Sequence, residues 1–217
     1  MIFEPYLFKT NNWKQKDYDS GYVHMTSSSY KSKGDRDEEL QEVIPFLPEV
    51  RRNAIDVGAR VGSYTRSCHI HGFQHVFAFE HMDIFMDDFS RNIDLSRATM
   101  FKYPVMDKPG MYGINGKRVV RQEGATACVN IDHFCFQDVD LLKIDIDSHD
   151  HLVLEGCLNT VKRCRPIIQM EWGILQERQN PTITEDMAWE KLRVLGYGKV
   201  GVSTNDNLIL VPDEKIS

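Results

Sequence analysis

The sequence has little of what marks a secreted, membrane-spanning or nucleic-acid-binding protein. Its 217 residues include five cysteines, an odd number, and no Cys-x-x-Cys pair, so a disulfide framework or zinc site is not expected and a reducing compartment is favoured. The N-terminus lacks a basic and apolar leader, and no stretch approaches the roughly 20 apolar residues of a membrane span. A net charge of −6 argues against a large nucleic-acid surface. We therefore expect a cytoplasmic protein without a membrane or nucleic-acid partner.

Two nucleotide-binding signatures are also missing. The chain has neither the G-x-G-x-x-G of dinucleotide-binding proteins nor the Gly-Lys-Ser/Thr of a phosphate-binding loop. In their place, a short apolar strand ends in Asp56 and turns on Gly58 and Gly62 into a helix. A carboxylate before the turn would repel a pyrophosphate, but it suits a ligand with a cationic amino-acid end. S-adenosylmethionine (SAM) therefore fits better than NAD, with a plain structural turn as the alternative.

From residue 53 onward, short apolar runs alternate with helical patterns. The predicted strands are residues 54–57, 76–80, 99–103, 141–146 and 167–171, followed by a closing hairpin of 199–202 and 208–211. The predicted helices are residues 35–47, 63–71, 84–95, 149–163 and 183–195. This alternation predicts a mostly parallel sheet with helices on both faces, and 141–146 as a central strand. Residues 1–34 are polar and rich in aromatics. Two interpretations of this segment are possible: a poorly ordered terminus, or a lid or substrate-binding segment.

Acidic side chains stand at the ends of several predicted strands. Asp56 and Glu80 end consecutive strands, and a carboxylate at Glu80 can accept two hydrogen bonds from the hydroxyls of a ribose. Glu171 ends the strand 167–171 and precedes Trp172. Glu171 and Trp172 are candidates for lining an acceptor pocket. For Glu171, the alternative is an acidic side chain that ends a strand and faces water.

The seven residues from Asp145 to His151 hold three acids and two histidines after the predicted central strand. A histidine can remove a proton from a hydroxyl near neutral pH, so His149 is the candidate general base, with Asp145 or Asp147 orienting it or holding the substrate. Two alternatives stay open. Asp145, Asp147 and His149 could ligate a divalent metal, which is not favoured, or the acids could cap a helix. Three other histidines are expected at the surface or in turns, namely His69, His71 and His75.

Three segments of the sequence form a recognisable set of motifs. Residues 55–65 are similar to D-V-G-A-N-x-G-x-x-T, and residues 79–81 and 91–92 are similar to F-E-P and R-N. Residues 140–156 resemble D-L-I-K-I-D-V-E-G-H-E-x-x-V-L-x-G, and Arg165-Pro166 and Glu171 resemble the R-P and terminal acid of a following strand. Together these segments resemble the FkbM family of class I SAM-dependent methyltransferases.

The sequence departs from this family pattern at three places. Arg60 replaces the usual Asn, His81 replaces Pro, and Asp147-Ser148 replaces Glu-Gly. Each departure lies in or beside the expected site, so we expect acceptor choice and activity to depend on these departures more than the fold does. Residues 1–50 and 104–125 match no motif of the family, and acceptor recognition is expected to differ there.

The resemblance implies a Rossmann-like domain over residues 51–217, preceded by an N-terminal extension with a cap helix over residues 1–50. Its seven-stranded sheet would be mostly parallel, with helices on both faces and an antiparallel C-terminal strand pair. The implied activity is SAM-dependent methyl transfer to a hydroxyl of a small molecule or sugar. A SAM-binding partner or sensor protein without transfer activity is the alternative. The implied cofactor-binding residues are Asp56, Gly58, Ala59, Gly62, Tyr64, Thr65, Glu80 and His81. The implied catalytic residues are His149, Asp145 and Asp147, and the implied acceptor-binding residues are Glu171 and Trp172.

Overall fold

The computed structural model describes residues 2–15, 23, 25, 37–115, 118–120, 124–146, 149–172, 185–202 and 207–216. In chain order, the described strands are β1 (Asn53–Val57), β2 (His75–Phe79), β3 (Ala98–Phe101), β4 (Gly110–Asn115), β5 (Arg118–Val120), β6 (Thr126–Cys128), β7 (Val139–Ile144), β8 (Ile167–Glu171), β9 (Tyr197–Val202) and β10 (Asn207–Pro212). The described helices are α1 (Asp37–Gln41), α2 (Ser63–Ile70), α3 (Met86–Asn92), α4 (Asp150–Glu155), α5 (Leu158–Cys164) and α6 (Glu185–Val194).

Seven strands form one large sheet in the order β3-β2-β1-β7-β8-β10-β9. The pairs from β3 to β8 are parallel, and β10 pairs antiparallel with both β8 and β9. This arrangement confirms the predicted α/β fold and its antiparallel C-terminal pair. Since the chain leaves β1 first toward β2 and later returns to β7 on the other side, the strand order reverses between β1 and β7. In open α/β sheets a crevice forms at the carboxyl ends of the strands at such a point.

The two central strands alternate their side chains between two core layers. Ile55 and Val57 of β1 pack in one cluster with Leu142 and Ile144 of β7. Ala54 of β1 packs in the other cluster. Because both faces are covered, every residue of β7 is buried, as expected for a strand in the middle of a parallel sheet.

Two of the predicted helices are broken, one at a proline and one at a glycine. The predicted helix 35–47 is observed as α1 and a separate 3-10 turn at Ile44–Phe46, because Pro45 has no amide hydrogen to continue an α-helix. The predicted helix 149–163 is split into α4 and α5 at Gly156. A side chain at Gly156 would place its Cβ 2.3 Å from the carbonyl oxygen of Met106, so the chain passes close to another backbone at this break.

The other boundaries shift by a few residues. The predicted helix 84–95 begins with a 3-10 turn at Asp83–Phe85 and continues as α3. β2 and β7 end at Phe79 and Ile144, so Glu80 and Asp145 lie in the loops that follow these strands. No strand or helix was predicted for residues 104–125, and part of this region joins β6 in a small antiparallel sheet in the order β5-β4-β6.

The described part of the N-terminal 50 residues packs on the large sheet. The amide of Tyr6 donates a hydrogen bond to the carbonyl oxygen of Met100 in the edge strand β3, at 2.7 Å. Leu40 and Val43 are fully buried and pack in the same cluster as Ile167 of β8. The extension therefore covers part of the sheet, while a domain boundary near residue 50 stays a prediction.

The expected surface position of His69 is wrong. His69 lies in α2, is 4% exposed, and its Nε2 lies 3.1 Å from the carbonyl oxygen of Arg97. Burial lowers the pKa of its imidazole to about 4.

Among the described helices, none is long and apolar enough to cross a bilayer.

Candidate functional site

The turn after β1 is built on the close approach of two backbones. Gly58 has a φ of +89°, and a Cβ added there would lie 1.9 Å from the carbonyl oxygen of Asp145. The amides of Gly58 and Ala59 both donate to the carbonyl oxygen of Phe79, at 2.9 and 3.0 Å. Glycine is therefore required at position 58, because any side chain would separate the loops that follow β1 and β7.

Gly62 serves packing at the start of α2. It has a φ of +87°, and a Cβ there would lie 2.7 Å from the side chain of Ile93 and 3.0 Å from that of Phe89. Its role in the described structure is to let α2 and α3 pack closely. Gly62 lines neither of the two cavities described below, so its predicted contact with a cofactor stays a prediction.

Arg60 takes a left-handed backbone conformation between these two glycines. Its φ is +50°, a region in which Asn is common and long side chains are strained. The Arg60 amide donates to Oε2 of Glu80 at 3.2 Å, and its guanidinium lies 5.8 Å from the ring centroid of Phe85. The substitution of Arg for the family's Asn thus keeps a backbone shape that Asn adopts more easily.

Glu80 follows β2 and is almost fully buried, at 6% exposure. Its Oε1 accepts a hydrogen bond from the amide of Met82 at 2.8 Å, and its Oε2 accepts the one from Arg60. Burial raises the pKa of this carboxyl group, and the backbone amides oppose that shift. Because a carboxylate has about four lone-pair sites, two such bonds leave acceptor capacity for a ligand.

His81 stands directly beside this carboxylate. Its Nδ1 lies 3.5 Å from Oε1 of Glu80, and its buried Nε2 has no hydrogen-bond partner among the described residues. Burial lowers the pKa of the His81 imidazole. The His81 imidazole therefore adds a polar group beside Glu80. A proline at this position would not supply one.

A first cavity of about 740 Å³, open solvent included, lies over the carboxyl ends of β1, β2 and β7. Glu80, His81, Asp145 and His149 are its polar side chains at the strand ends. Much of the remaining wall is apolar, and it comes from Val57, Phe79, Met82, Phe85, Tyr103, Pro104, Val105, Met106, Val119 and Ile146. A concave, largely apolar cleft with a few converging polar groups is typical of a small-molecule site.

A second cavity of about 480 Å³, open solvent included, adjoins the first. Gly58, Arg60, Phe85 and Asp145 line both cavities and so form their common wall. The other residues of the second cavity are Met25, Glu39, Asp56, Ala59, Val61, Ser63, Tyr64 and Lys143. The predicted cofactor residues Asp56, Ala59 and Tyr64 are thus brought together here, whereas Glu80 and His81 lie in the first cavity.

Three of the predicted cofactor residues make contacts within the protein, namely Asp56, Tyr64 and Thr65. The hydroxyl of Thr65 donates to Oδ2 of Asp56 at 2.6 Å, and both residues are buried. The hydroxyl of Tyr64 donates to Oε1 of Gln169 at 2.6 Å. Thr65 lines neither cavity, so in this structure it orients the carboxylate of Asp56.

Lys143 is a residue of this site that the sequence analysis missed. It lies in the central strand β7, is 2% exposed, and lines the second cavity. Its Nζ is 3.2 Å from Oδ2 of Asp145 and 3.3 Å from Oδ1 of Asn207. The available signal was a lysine that follows the apolar residues Leu141 and Leu142 in a predicted central strand, since a buried ammonium requires polar partners.

The loop after β7 presents His149 to the first cavity. His149 is the residue before α4, and its ring stacks near that of His151 at a centroid distance of 6.4 Å. Oδ1 of the fully buried Asp150 accepts the amide of Ile146 at 3.0 Å, which ties the two ends of this loop together. Asp147 lies outside the described residues, so its predicted catalytic role stays a prediction.

The predicted acceptor residues, Glu171 and Trp172, are not among the lining residues of either cavity. Glu171 ends β8 and pairs with Asn207 of β10. Trp172 is 7% exposed and packs in the main core cluster. Neither lines the two cavities formed by the described residues, and their role in acceptor binding stays a prediction. Within the same residues, no group of three His, Cys, Asp or Glu side chains is placed to hold a metal ion.

The sheet order and the crevice at its switch point are those of the Rossmann-like class of α/β proteins. A family model, the methyltransferase FkbM domain, matches residues 56–197. The chain therefore belongs to the FkbM methyltransferase family. The match begins at Asp56 and includes Gly58, Glu80, Asp145 and His149.

Two solved structures show the same fold. Methyltransferase FkbM from Methylobacillus flagellatus KT superposes with a TM-score of 0.52 at 14% identity, covering 74% of this chain and 43% of that protein. This chain thus spans less than half of that relative. A protein from Clostridium thermocellum, provisionally described as an rRNA methylase, also has a TM-score of 0.52 at 11% identity, covering 82% of this chain and 95% of that one. No curated protein matches the sequence.

Proposed function

We propose that the chain binds SAM and transfers its methyl group to a hydroxyl oxygen of a small molecule or sugar. One observation carries the proposal: Glu80, the Gly58 turn and His149 line a single cleft at the switch point of the sheet. The family supports methyl transfer and SAM as the cofactor. The oxygen acceptor is our inference from the position of His149.

The two adjoining cavities fit the two ends of SAM. Glu80 has acceptor capacity for the hydroxyls of a ribose, and Met82 and Val105 supply apolar wall for a base. In the second cavity, Asp56 and Lys143 bring both signs of charge, as a zwitterionic amino-acid end requires. When bound, SAM supplies an electrophilic methyl group on a positively charged sulfur.

His149 would serve as the general base. A neutral imidazole in the wall of the first cavity can accept the proton of an acceptor hydroxyl at a ring nitrogen. Asp145 is held in place because its amide donates to the carbonyl oxygen of Val57 at 3.0 Å and its carboxylate pairs with Lys143. These contacts support a positioning role for Asp145 beside the base, and alignment of the reactants would supply much of the rate.

The charge of the chain favours a small acceptor over RNA. Binding to a nucleic acid gains most of its affinity from cationic side chains that neutralise phosphates. With a net charge of −6, and with two carboxylates, Glu80 and Asp145, against one guanidinium, Arg60, in the first cavity, an anionic polymer is disfavoured. A hydroxylated small molecule or saccharide meets no such repulsion.

The proposal is tested by a methyl-transfer assay with SAM across sugars and hydroxylated metabolites. His149→Ala should abolish turnover and leave the affinity for S-adenosylhomocysteine within about threefold of the wild type, since the base does not hold the cofactor. His133→Ala is the matched control, because His133 is exposed and lines neither cavity. An equal loss of turnover and affinity would make His149 structural. Tight binding with no transfer to any acceptor would favour the SAM-binding partner or sensor.

A further inference from the structure

The N-terminal segment runs along the edge strand β3 in the opposite direction. The amide of Tyr6 donates to the carbonyl oxygen of Met100 in β3. Earlier in the segment, the ring of Phe3 lies 5.1 Å from the ring of Tyr103, which comes later in the chain than Met100. Since one position falls as the other rises, the segment is antiparallel to β3 and continues past its end. The N-terminal segment therefore extends to the carboxyl edge of the sheet, where the first cavity lies.

Phe3 holds this part of the segment in place. Its side chain is 8% exposed and belongs to the main core cluster, and its ring lies 6.4 Å from the ring of Phe134. Ile2, Glu4 and Pro5 are exposed, so Phe3 is the residue of this stretch that packs inward. A buried aromatic ring contributes more packing energy than the exposed side chains beside it. Phe3 is therefore the anchor of residues 2–5.

The ring that Phe3 contacts belongs to the wall of the first cavity. Tyr103 follows β3, lines this cavity and is only partly buried. The two rings meet edge to face, at an interplanar angle of 75°, which is a favoured geometry for aromatic pairs. Pro104 also disfavours helical backbone conformations for the residue before it. Phe3 packs the Tyr103 ring while Pro104 restricts its backbone, so the ring has little freedom to turn out of the wall.

Tyr103 lies in the cavity whose apolar wall we assign to the base of the nucleoside. Met82 and Val105 line the same cavity, and so does Glu80, the proposed partner of the ribose. A planar base packs well on an aromatic ring. A ring that is already fixed loses less conformational entropy on binding than a mobile one. Packing by Phe3 should therefore raise the affinity for the nucleoside without any contact between Phe3 and the ligand.

We propose that Phe3 is a positioning residue of the cofactor site, which acts by holding the ring of Tyr103 against the base of SAM. This inference rests on the proposed function, because it takes the first cavity as the nucleoside site. Phe3 lies outside residues 56–197, which the family model matches. The cofactor site thus depends on a segment that no motif of the family describes.

The test is a double-mutant cycle measured by calorimetric titration of S-adenosylhomocysteine. Its members are the wild type, Phe3→Ala, Tyr103→Ala and the double variant. We expect Tyr103→Ala to weaken binding about 5- to 150-fold, as for the loss of an aromatic ring that stacks on a base. Phe3→Ala alone should weaken binding more than about threefold. In the Tyr103→Ala background it should change binding by less than about twofold, because the ring through which it acts is gone.

Further variants separate positioning of the ring from support of the fold. Tyr103→Phe keeps the ring and should bind within about threefold of the wild type. Phe8→Ala is the matched control and should also stay within about threefold, because Phe8 lies in the same segment, stacks on Phe89 and lines neither cavity. Thermal melts should show a lower Tm for Phe3→Ala in both backgrounds, since Phe3 also packs in the core. Truncation of a buried Phe leaves a cavity, so Phe3→Leu, which keeps much of the volume but no ring, is measured in a parallel cycle.

Each outcome decides between this inference and the proposed function. A loss of affinity in Phe3→Ala that disappears in the Tyr103→Ala background, with Phe8→Ala unchanged, supports the inference. If Phe3→Ala does not fold, Phe3→Leu decides by the same comparison. Equal loss in both backgrounds would show that Phe3 acts through the fold. Unchanged binding in Phe3→Ala or in Tyr103→Ala, or an equal loss in Phe8→Ala, would also overturn the inference. In these cases S-adenosylhomocysteine still binds the wild type, so the proposed function survives. If the wild type does not bind it, the proposed function and the inference fail together.

Discussion

Glu80→Gln separates the charge of the strand-end carboxylate from its shape. In the wild type, the amides of Arg60 and Met82 donate to the two carboxylate oxygens of Glu80. The variant keeps one carbonyl oxygen but places an NH2 group opposite one of these two amides. It also replaces a charged acceptor of ribose hydroxyls with a neutral one. Hydrogen bonds to charged groups contribute about 1.5–3 kcal/mol, so the dissociation constant for S-adenosylhomocysteine should rise by a factor of about 10 to 150.

The same substitution should change the free energy of unfolding much less. Burial raises the pKa of Glu80 in the folded state, so its contribution to stability is present below the unfolded pKa and is lost as the pH rises through the folded pKa. The ionised carboxylate therefore costs stability at neutral pH, and glutamine removes that cost. An amide left without an acceptor costs about 1–3 kcal/mol in the opposite direction. Because the two effects oppose each other, we expect the Tm to move by less than about 4 °C.

The assay is a calorimetric titration of S-adenosylhomocysteine together with a thermal melt of each variant. Asp87→Asn is the control, because the side chain of Asp87 is 73% exposed on α3 and lines neither cavity. Unchanged affinity in a folded Glu80→Gln protein would refute the assignment of Glu80 to the ribose. A fall in affinity matched by a large fall in Tm would show that the carboxylate acts through the loop structure instead.

Two further predictions concern the turn and the buried histidine. Gly72 has a similar φ of +83° but no atom within 4 Å of an added Cβ, so Gly72→Ala should show only backbone strain of about 1–2 kcal/mol, or a fall in Tm of about 2–8 °C. Gly58→Ala adds the clash with the carbonyl oxygen of Asp145, so it should lower the Tm by more than about 8 °C and weaken the binding of S-adenosylhomocysteine. Equal effects of the two substitutions would contradict the close approach at Gly58. The pKa of His69 is lowered to about 4, so its neutral form contributes stability above its unfolded pKa of about 6.5, and about 3 kcal/mol is lost as the pH falls to 4 and below. Urea melts between pH 7 and 4 should therefore show a weaker acid dependence for His69→Gln than for the wild type.

Local patterns in the sequence were sufficient to predict most of the large sheet. The apolar run of β7 and the short strand before Gly58 each carry their own signal of strand and turn. Broken helices were harder, although Pro45 was a visible reason for the end of α1. The break at Gly156 depends on the close approach of Met106, which is 50 positions earlier in the sequence, and such a contact leaves no periodic trace.

The candidate site was predictable to the extent that it lies at strand ends. Asp56 lies near the carboxyl end of β1, and Glu80, Asp145 and His149 follow β2 and β7, so the topology brings all four to one edge. Lys143 was missed because an apolar strand was interpreted as core alone. Part of the apolar wall of the first cavity also could not be predicted, because Val119 comes from a small sheet that matches no motif.

Arg60 shows how a departure from a family motif can leave the backbone unchanged. Asparagine suits the left-handed conformation, and a long side chain at a φ of +50° costs roughly 1–2 kcal/mol. The chain keeps the conformation nonetheless, because the amide of residue 60 is a donor to Glu80 whatever its side chain is. The guanidinium is then an addition that lies over Phe85 in the common wall of the two cavities. A residue that weakens the motif in sequence therefore preserves the contact on which the motif depends, and it adds a positive charge between the two ends of the proposed cofactor site.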